Sequence, residues 1–399
     1  MSVAERVLAA NPGGLGAFVR YFLYLGSLGF GGPVALAGFM HRDLVEKRRW
    51  VPEDEYRLGM ALAQIMPGPL AAQLAIALGY FRHGVIGATA VGLAFCVPSF
   101  LMVVAISMAY VRFGGLWWMQ ALFYGIGASV IAIIAIAAYK LSRSTNKRDP
   151  LLWAIFAALA VITVWTQAEL AEAFIVAGMI VLFARARPGF RSGVLMGLGG
   201  AAVVLLIWLI ERWFLSVGVG GQHVLVQILL FFTKAGSFVF GSGLAIVPFL
   251  HQGVVQQFGW LNEQQFIDAV AVAMITPGPV VITVVFIGFL VAGLLGAIAA
   301  AIGIFLPVYV FTVIPAPWFS RNRDNAQLKA FVQGATAAAT GALSGAVVVI
   351  ALRAIYDVPT VLIALVSLGV LWRYKLPEPI LVAVAGVVGL IVWPLMRGG

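Results

Sequence analysis

Cysteine is almost missing from this chain: Cys96 is the only one in 399 residues, which excludes an intrachain disulfide and any multi-cysteine metal centre. Charge is scarce too. Asp, Glu, Lys and Arg make up 10% of the residues, too few to solvate the surface of a water-soluble protein of this length. No Gly-x-x-x-x-Gly-Lys-Ser/Thr occurs and no polar stretch is long enough for a soluble nucleotide-binding domain, which argues against an ATP-driven pump. His-Glu-x-x-His and Gly-x-Ser-x-Gly are also absent. The only dense carboxylates, Glu53-Asp54-Glu55, lie among arginines and read as a solvated, salt-bridged face, so an intramembrane enzyme is disfavoured and no metal or cofactor is implied. The segment 1–14 carries Glu5, Arg6 and Asn11 without an apolar signal core, so the first membrane segment is expected to serve as its own insertion signal.

What the chain has in abundance is apolar sequence: 62% hydrophobic residues and a mean hydropathy of +1.04. A bilayer core of roughly 30 Å needs about 20 apolar residues per helical crossing. Windows at 85–110, 117–139, 192–210, 295–313 and 330–352 meet that length, so the chain reads as an all-α polytopic membrane protein. The net charge of +10 comes from 25 Lys and Arg against 15 Asp and Glu. Because the basic residues sit in short loops between spans, they are orientation signals rather than a nucleic-acid surface.

Proline and glycine appear where a membrane helix should exclude them. Pro67-Gly68-Pro69 and Pro277-Gly278-Pro279 each interrupt a long apolar stretch, and each must break a helix and leave backbone polar groups facing something other than lipid. They belong to an internal duplication. At a constant offset of 210, Gly26-Ser27 meets Gly236-Ser237, His41 meets His251, Trp50 meets Trp260 and Glu53 meets Glu263. After the second Pro-Gly-Pro the offset becomes 209, pairing Gly79, Gly84, Gly87, Pro98 and Gly125 with Gly288, Gly293, Gly296, Pro307 and Gly334. The expected organisation is an N-terminal segment 1–14, a first repeat 15–190, a linker transmembrane helix 191–221 and a second repeat 222–399.

Loop charge sets the orientation of the copies. His41 to Arg57 holds Arg42, Lys47, Arg48, Arg49 and Arg57, whereas the matching loop from His251 to Gln265 has no lysine or arginine. Lys140, Arg143, Lys147, Arg148, Arg185, Arg187 and Arg191 fall on the cytoplasmic side of the same count, and the unpaired linker crosses once. The repeats are therefore expected to be inverted. The arms beside each Pro-Gly-Pro are short, closer to re-entrant hairpins than to full spans, the build of many secondary transporters that bind substrate between repeats.

The broken segments carry the chemistry. Gly31 and Gly32 in one half, and Gly241 and Ser242 in the other, let backbone approach a ligand closely, as do Gly68 and Gly278. A helix that starts after Pro69 or Pro279 aims the free N–H groups of Leu70 and Ala71, or of Val280 and Val281, at an anion. Lys234 lies in an apolar run, and an intramembrane cation marks an ion path. Arg20 is the equivalent cation of the first half, or else snorkels to the interface. Gln64, Ser237 and Thr276, with Ser27, Gln73 and Thr283, can donate to oxygen atoms or satisfy freed backbone. Asp268 aligns with Leu58, so it is peculiar to one half; it is a candidate coupling residue or a helix-start aspartate. His41 and His251, on opposite faces in inverted copies, read as interface anchors with Trp50 and Trp260. Gly193/Gly197 and Gly341/Gly345 mark helix packing or a homodimer contact.

Phe30-Gly-Gly-Pro33, the loop ending Lys47-Arg-Arg-Trp50, Ala63 to Pro69, Phe240-Gly-Ser-Gly243, Trp260 and Ile275 to Pro279 resemble the chromate ion transporter (CHR) family in its long, two-domain form. The resemblance covers nearly the whole chain. It implies a carrier in the cytoplasmic (inner) membrane that moves chromate outward on the membrane potential or proton gradient, gives chromate resistance and involves the related oxyanion sulfate. A carrier of sulfate or another anion, or a lipid-phosphate flippase, is the rival reading. Ser242, Gly243 and Met274 stand where the first half has Gly32, Pro33 and Gln64, so equal ligand binding by the two halves does not follow from the resemblance.

Overall fold

The computed structural model describes residues 13–30, 32–114, 116–166, 171–186, 197–202, 205, 209, 224–238, 243–322, 325–374, 376 and 378–397. Among them every regular element is a helix, because a helix satisfies its own backbone polar groups where lipid cannot. The first half contains α1 (Leu15–Leu28), α2 (Gly32–Met40) running into a π-helical turn at His41–Lys47, α3 (Glu53–Ile65), α4 (Leu70–Phe113), α5 (Trp117–Asn146), α6 (Pro150–Thr166) and α7 (Ala171–Ala186). The second contains α8 (Val224–Ser237), a 3₁₀ turn at Gly243–Ile246, α9 (Val247–His251) with a π-helical turn at Gln252–Gln257, α10 (Glu263–Ile275), a 3₁₀ turn at Val280–Ile282, α11 (Thr283–Val313), α12 (Ala316–Asn322), α13 (Ala326–Ala354), α14 (Val358–Tyr374) and α15 (Glu378–Arg397). Five stretches, Leu70–Phe113, Trp117–Asn146, Val280–Phe319, Ala326–Ala354 and Glu378–Leu395, are long and apolar enough to cross a membrane. Bare side chains such as Ile86, Leu101, Leu295 and Leu352 cover the outer faces, as lipid contact requires. The protein is an all-α, multi-pass membrane protein. Of the expected linker, residues 197–202, 205 and 209 are helical, and the remainder lies outside the described residues.

Each Pro-Gly-Pro is the tip of a helical hairpin. Gly59 of α3 faces Leu74, Leu78 and Phe81 of α4, so the two arms run antiparallel from the tip at Gly68. The 13 residues of α3 extend only about 20 Å, short of a bilayer core. Arg82 closes the base of the hairpin, its Nε 3.2 Å from Glu55 Oε2 and its guanidinium bonded to the Trp50 carbonyl. There α4 turns back on itself at His83 and at Gly84, whose φ of 61° favours glycine. Its crossing arm runs from there to Phe113. In the second half α11 turns at Ala292 and Gly293, again with φ 61° at the glycine. Other details recur at the same offsets. His41 Nε2 lies 2.8 Å from Glu53 Oε2, and His251 Nε2 lies 2.7 Å from Glu263 Oε2. The N–H groups of Trp50 and Trp260 donate to Leu44 and Val254 at 2.8 Å each.

Contacts along α4 and α11 set the relative direction of their crossing arms. Thr89, just after the turn of α4, bonds Tyr309 near the end of α11 at 2.7 Å. Tyr80 shares an apolar cluster with Tyr309 and Val313, and Phe81 shares one with Phe319. At its other end α4 places Tyr110 on Asp268 and against the Phe286 ring, with centroids 5.0 Å apart. The crossing arms of α4 and α11 therefore run antiparallel. The outer helices are exchanged: α13 packs on α6 and α7, and α5 packs on α14 and α15. Small residues make this possible. A Cβ on Gly125 would lie 2.0 Å from the Ala385 carbonyl oxygen, and one on Gly334 would lie 2.3 Å from that of Ala177. Gly341 and Gly345 press on the Phe156 and Ala160 carbonyls of α6, so this glycine pair is used for packing inside the chain.

Gly26 and Gly236 make the same test possible in both halves, since a Cβ there would lie 2.3 Å from the Phe95 carbonyl oxygen and 2.4 Å from that of Ile304. Gly26→Ala and Gly236→Ala should each destabilise the protein by about 1–3 kcal/mol, seen as a lower thermal unfolding midpoint in detergent. Gly369→Ala, which meets nothing within 4 Å, should leave the midpoint unchanged or raise it. Equal midpoints for all three would refute the close packing.

Candidate functional site

The two hairpin tips are held differently. At the first, fully buried Gln73 donates Nε2 to the Pro67 carbonyl at 2.8 Å, and its side chain occupies the space beside Gly68, whose φ is 146°. Leu70 and Ala71 are buried at the start of α4. At the second tip Gly278, with φ 97°, donates its N–H to the Gly29 carbonyl at 3.1 Å. Ser99 of α4 donates Oγ to the Pro277 carbonyl at 2.7 Å and lies 3.3 Å from the Gly26 carbonyl. Gly243 abuts Val280 and Val281. The second Pro-Gly-Pro therefore meets the Gly-rich breaks of both halves, with Ser99 as an added partner that motif reading did not select.

Several predicted donors serve their own helices. Ser27, Ser237, Thr276 and Thr283 donate to the carbonyls of Leu23, Thr233, Val272 and Val280. This is the backbone-satisfying alternative. Lys234 sits in the last turn of α8 with Nζ 5.4 Å from the Phe249 ring centroid, and Arg20 is on the exposed side of α1. Gly32 opens α2 with φ 74°. Gly31, Gly241 and Ser242 lie outside the described residues.

Gln64 leads to a different feature. It lines a cavity of about 490 Å³ that extends from Ala61, Gln64 and Ile65, beside the first tip, to the end of α5, the start of α6, the end of α7 and the start of α13. Lys147, Arg185 and Lys329 bring three cations to it, against the single carboxylate of Asp149. Arg185 forms an ion pair with Asp149 and donates to Gln333 Oε1. Lys147 holds a left-handed φ of 46°, uncommon for a residue with a side chain. Asn146 is fully buried on the cavity wall, and among the described residues neither carboxamide atom has a partner. A hollow lined by lysine and arginine side chains, the unpartnered amide of Asn146 and the hydroxyls of Thr145 and Thr336 suits an oxyanion. Sequence reading took Lys147 and Arg185, which meet Lys329 here, for loop charges that set orientation. Their convergence comes from the exchanged packing of α13 on α6 and α7, which no local pattern encodes.

The opposite end of α5 carries aromatic side chains at the matching positions. At the offset of 209, Lys329 and Gln333 correspond to Gln120 and Tyr124. Tyr124 donates its hydroxyl to Asp357 Oδ2 at 2.7 Å and packs against Trp393 and Tyr356, with ring centroids at 5.0 and 6.3 Å. Phe123 stacks edge-on against Tyr110. An open polar hollow at one end and aromatic packing at its counterpart sit in one bundle built on broken hairpins.

The chromate transporter family profile matches this chain twice, at residues 16–184 and 226–390. The chain is 55% identical over 95% of its length to a chromate transport protein of Cupriavidus metallidurans, covering 93% of that protein. It is 52% identical over 98% of its length to a probable chromate transport protein of Synechococcus elongatus, covering all of it, and 30% identical over 94% to a chromate transport protein of Pseudomonas aeruginosa. The chain belongs to the chromate transporter family. No solved structure matches it at a significant level.

The second tip offers a local test. A Cβ on Gly278 would lie 2.0 Å from Ser99 Oγ, at a φ that disfavours side chains. Gly278→Ala should lower the thermal midpoint and the folded yield, and Ser99→Gly in the same chain should restore part of both. A residual loss of about 1–2 kcal/mol from the backbone conformation should persist. No recovery in the double variant would mean that the Ser99 contact does not limit this tip.

Proposed function

We propose that this protein carries chromate, a tetrahedral dianion, out of the cell across the cytoplasmic membrane and thereby confers chromate resistance. The cavity bearing Lys147, Arg185 and Lys329 carries this reading. Its basic residues lie at helix ends and in the α5–α6 connection, where lysines and arginines mark the cytoplasmic side, so the dianion loads from within. Moving one charge across the membrane is worth about 2.3 kcal/mol per 100 mV. An inside-negative potential therefore drives a dianion outward with roughly twice that.

Inverted repeats supply the conformational change. The antiparallel crossing arms of α4 and α11 and the recurring hairpins support that topology, as does the contrast between the hollow at Lys329 and Gln333 and the aromatic packing around Tyr124. In the proposed cycle the anion passes from the cavity to the hairpin tips, where the first N–H groups of α4 and the donors around Gly278 receive it. Rocking of one repeat against the other then closes the basic end and opens the aromatic one. The hairpins act as re-entrant elements, entering and leaving on one membrane face. Sulfate, of the same charge and shape, competes for the same path.

Proteoliposomes of the purified protein should take up labelled chromate above empty liposomes, and excess sulfate should reduce the uptake. Lys147→Gln with Lys329→Gln should raise KM about tenfold, equivalent to about 1.4 kcal/mol of lost anion binding. Uptake of sulfate without chromate would overturn the assigned substrate, and an unchanged KM would remove the cavity from the path.

A further inference from the structure

Asp268 is 2% exposed, inside the second hairpin. Tyr110 donates its hydroxyl to Oδ2 at 2.7 Å and Gln264 donates Nε2 to Oδ1 at 2.9 Å. Among the described residues no lysine, arginine or histidine forms an ion pair with it. Several other ionisable groups on the elements packed around α10 have partners of their own. Glu263, on α10 itself, holds His251 of α9 and Arg353 of α13, and Tyr124 of α5 is bonded to Asp357. Phe286 of α11 and Ile267, which faces Gly127 of α5, complete an apolar surround.

The other copy of the hairpin shows what packing alone requires there. Asp268 corresponds to Leu58, and Tyr110 corresponds to Phe319. Leu58 and Phe319 share one apolar cluster with Leu62 and Ala77, and Ala77 in turn corresponds to Phe286, the ring against Tyr110. One site in duplicate thus holds Leu and Phe in the first hairpin and Asp and Tyr in the second. The apolar version joins hairpin to helix without a buried acid, whose desolvation is expensive. Stability of the joint therefore does not explain the acid.

We propose that Asp268, held by Tyr110 and Gln264, binds the proton that enters as the anion leaves, so that the second hairpin couples the two movements. This inference rests on the oxyanion-carrier reading above. The carboxylate takes one proton from the outer side to become a neutral acid and gives it up towards the cytoplasm, with no other bond made or broken. Its two oxygens meet one hydroxyl and one amide, a set that suits a proton and falls short of the six or more oxygens typical of a metal cation such as Ca²⁺. Asn at 268 keeps the size and removes the charge change. Asp268→Leu with Tyr110→Phe reproduces the sister joint and guards against a variant that fails to fold.

The test uses the full chain in proteoliposomes with the membrane potential clamped at zero. One assay measures exchange of labelled chromate at equal pH, and the other measures chromate accumulation driven by an imposed pH gradient. Wild-type protein should do both. Asp268→Asn and the Leu/Phe double variant should keep at least half of the exchange and lose tenfold or more of the gradient-driven accumulation, while Tyr110→Phe should shift the pH at which accumulation is half-maximal. Wild-type accumulation in either Asp268 variant, loss of exchange together with accumulation in folded protein, or wild-type exchange that ignores the pH gradient would each overturn the inference. Wild-type protein that exchanges neither chromate nor sulfate overturns the carrier reading itself.

Discussion

Lipid offers no hydrogen bonds, and the structure is organised around that constraint. A Pro-Gly-Pro inside an apolar helix frees carbonyls that must find donors elsewhere. Gln73 answers Pro67 from within its own hairpin. Ser99 answers Pro277 from the other half of the chain, and Gly278 in turn donates to Gly29. These few bonds let irregular backbone persist at depth, and they tie the second tip to the first repeat. An interruption that would be a defect in a simple membrane span becomes a junction between halves.

Duplication then makes the differences between the copies readable. The turns of α4 and α11 and the His–Glu pairs are nearly superposable in kind, so departures from equivalence stand out. The first tip is closed by a buried glutamine of its own arm. The second is preceded by a buried aspartate and followed by a short 3₁₀ turn where the first passes directly into α-helix. Glycine at Gly125 and Gly334 keeps the exchanged outer helices equally close in both halves, so the scaffold is shared while the hairpins have diverged.

Much of the fold was legible in the sequence because its signals are local. Apolar runs of about 20 residues reveal spans directly, and proline and glycine pairs mark the breaks at Pro67 and Pro277. The constant offset pairs Gly84 with Gly293, and both have a φ of 61°. The cavity was not legible in this way. Asn146, Arg185 and Lys329 belong to three helices whose meeting depends on α13 crossing into the territory of α6 and α7. The hydroxyls of Ser237 and Thr276 donate to carbonyls of the preceding helical turn, the backbone-satisfying role that the sequence also allowed.

Unequal ends also bear on direction. The hollow is rimmed by Lys147, Arg185 and Lys329, while its counterpart carries Tyr124, Tyr356 and Trp393 with the carboxylate of Asp357. If the repeats exchange conformations, as proposed, the second end opens onto aromatic walls and a negative charge rather than onto three cations. A dianion that gains charge-assisted hydrogen bonds at the basic end would meet like-charge repulsion at the other. If the two repeats are inverted, as proposed, the scaffold has no inherent sense of inside and outside, and the side chains on its two ends would supply one, holding the anion where it loads and weakening its binding where it is released.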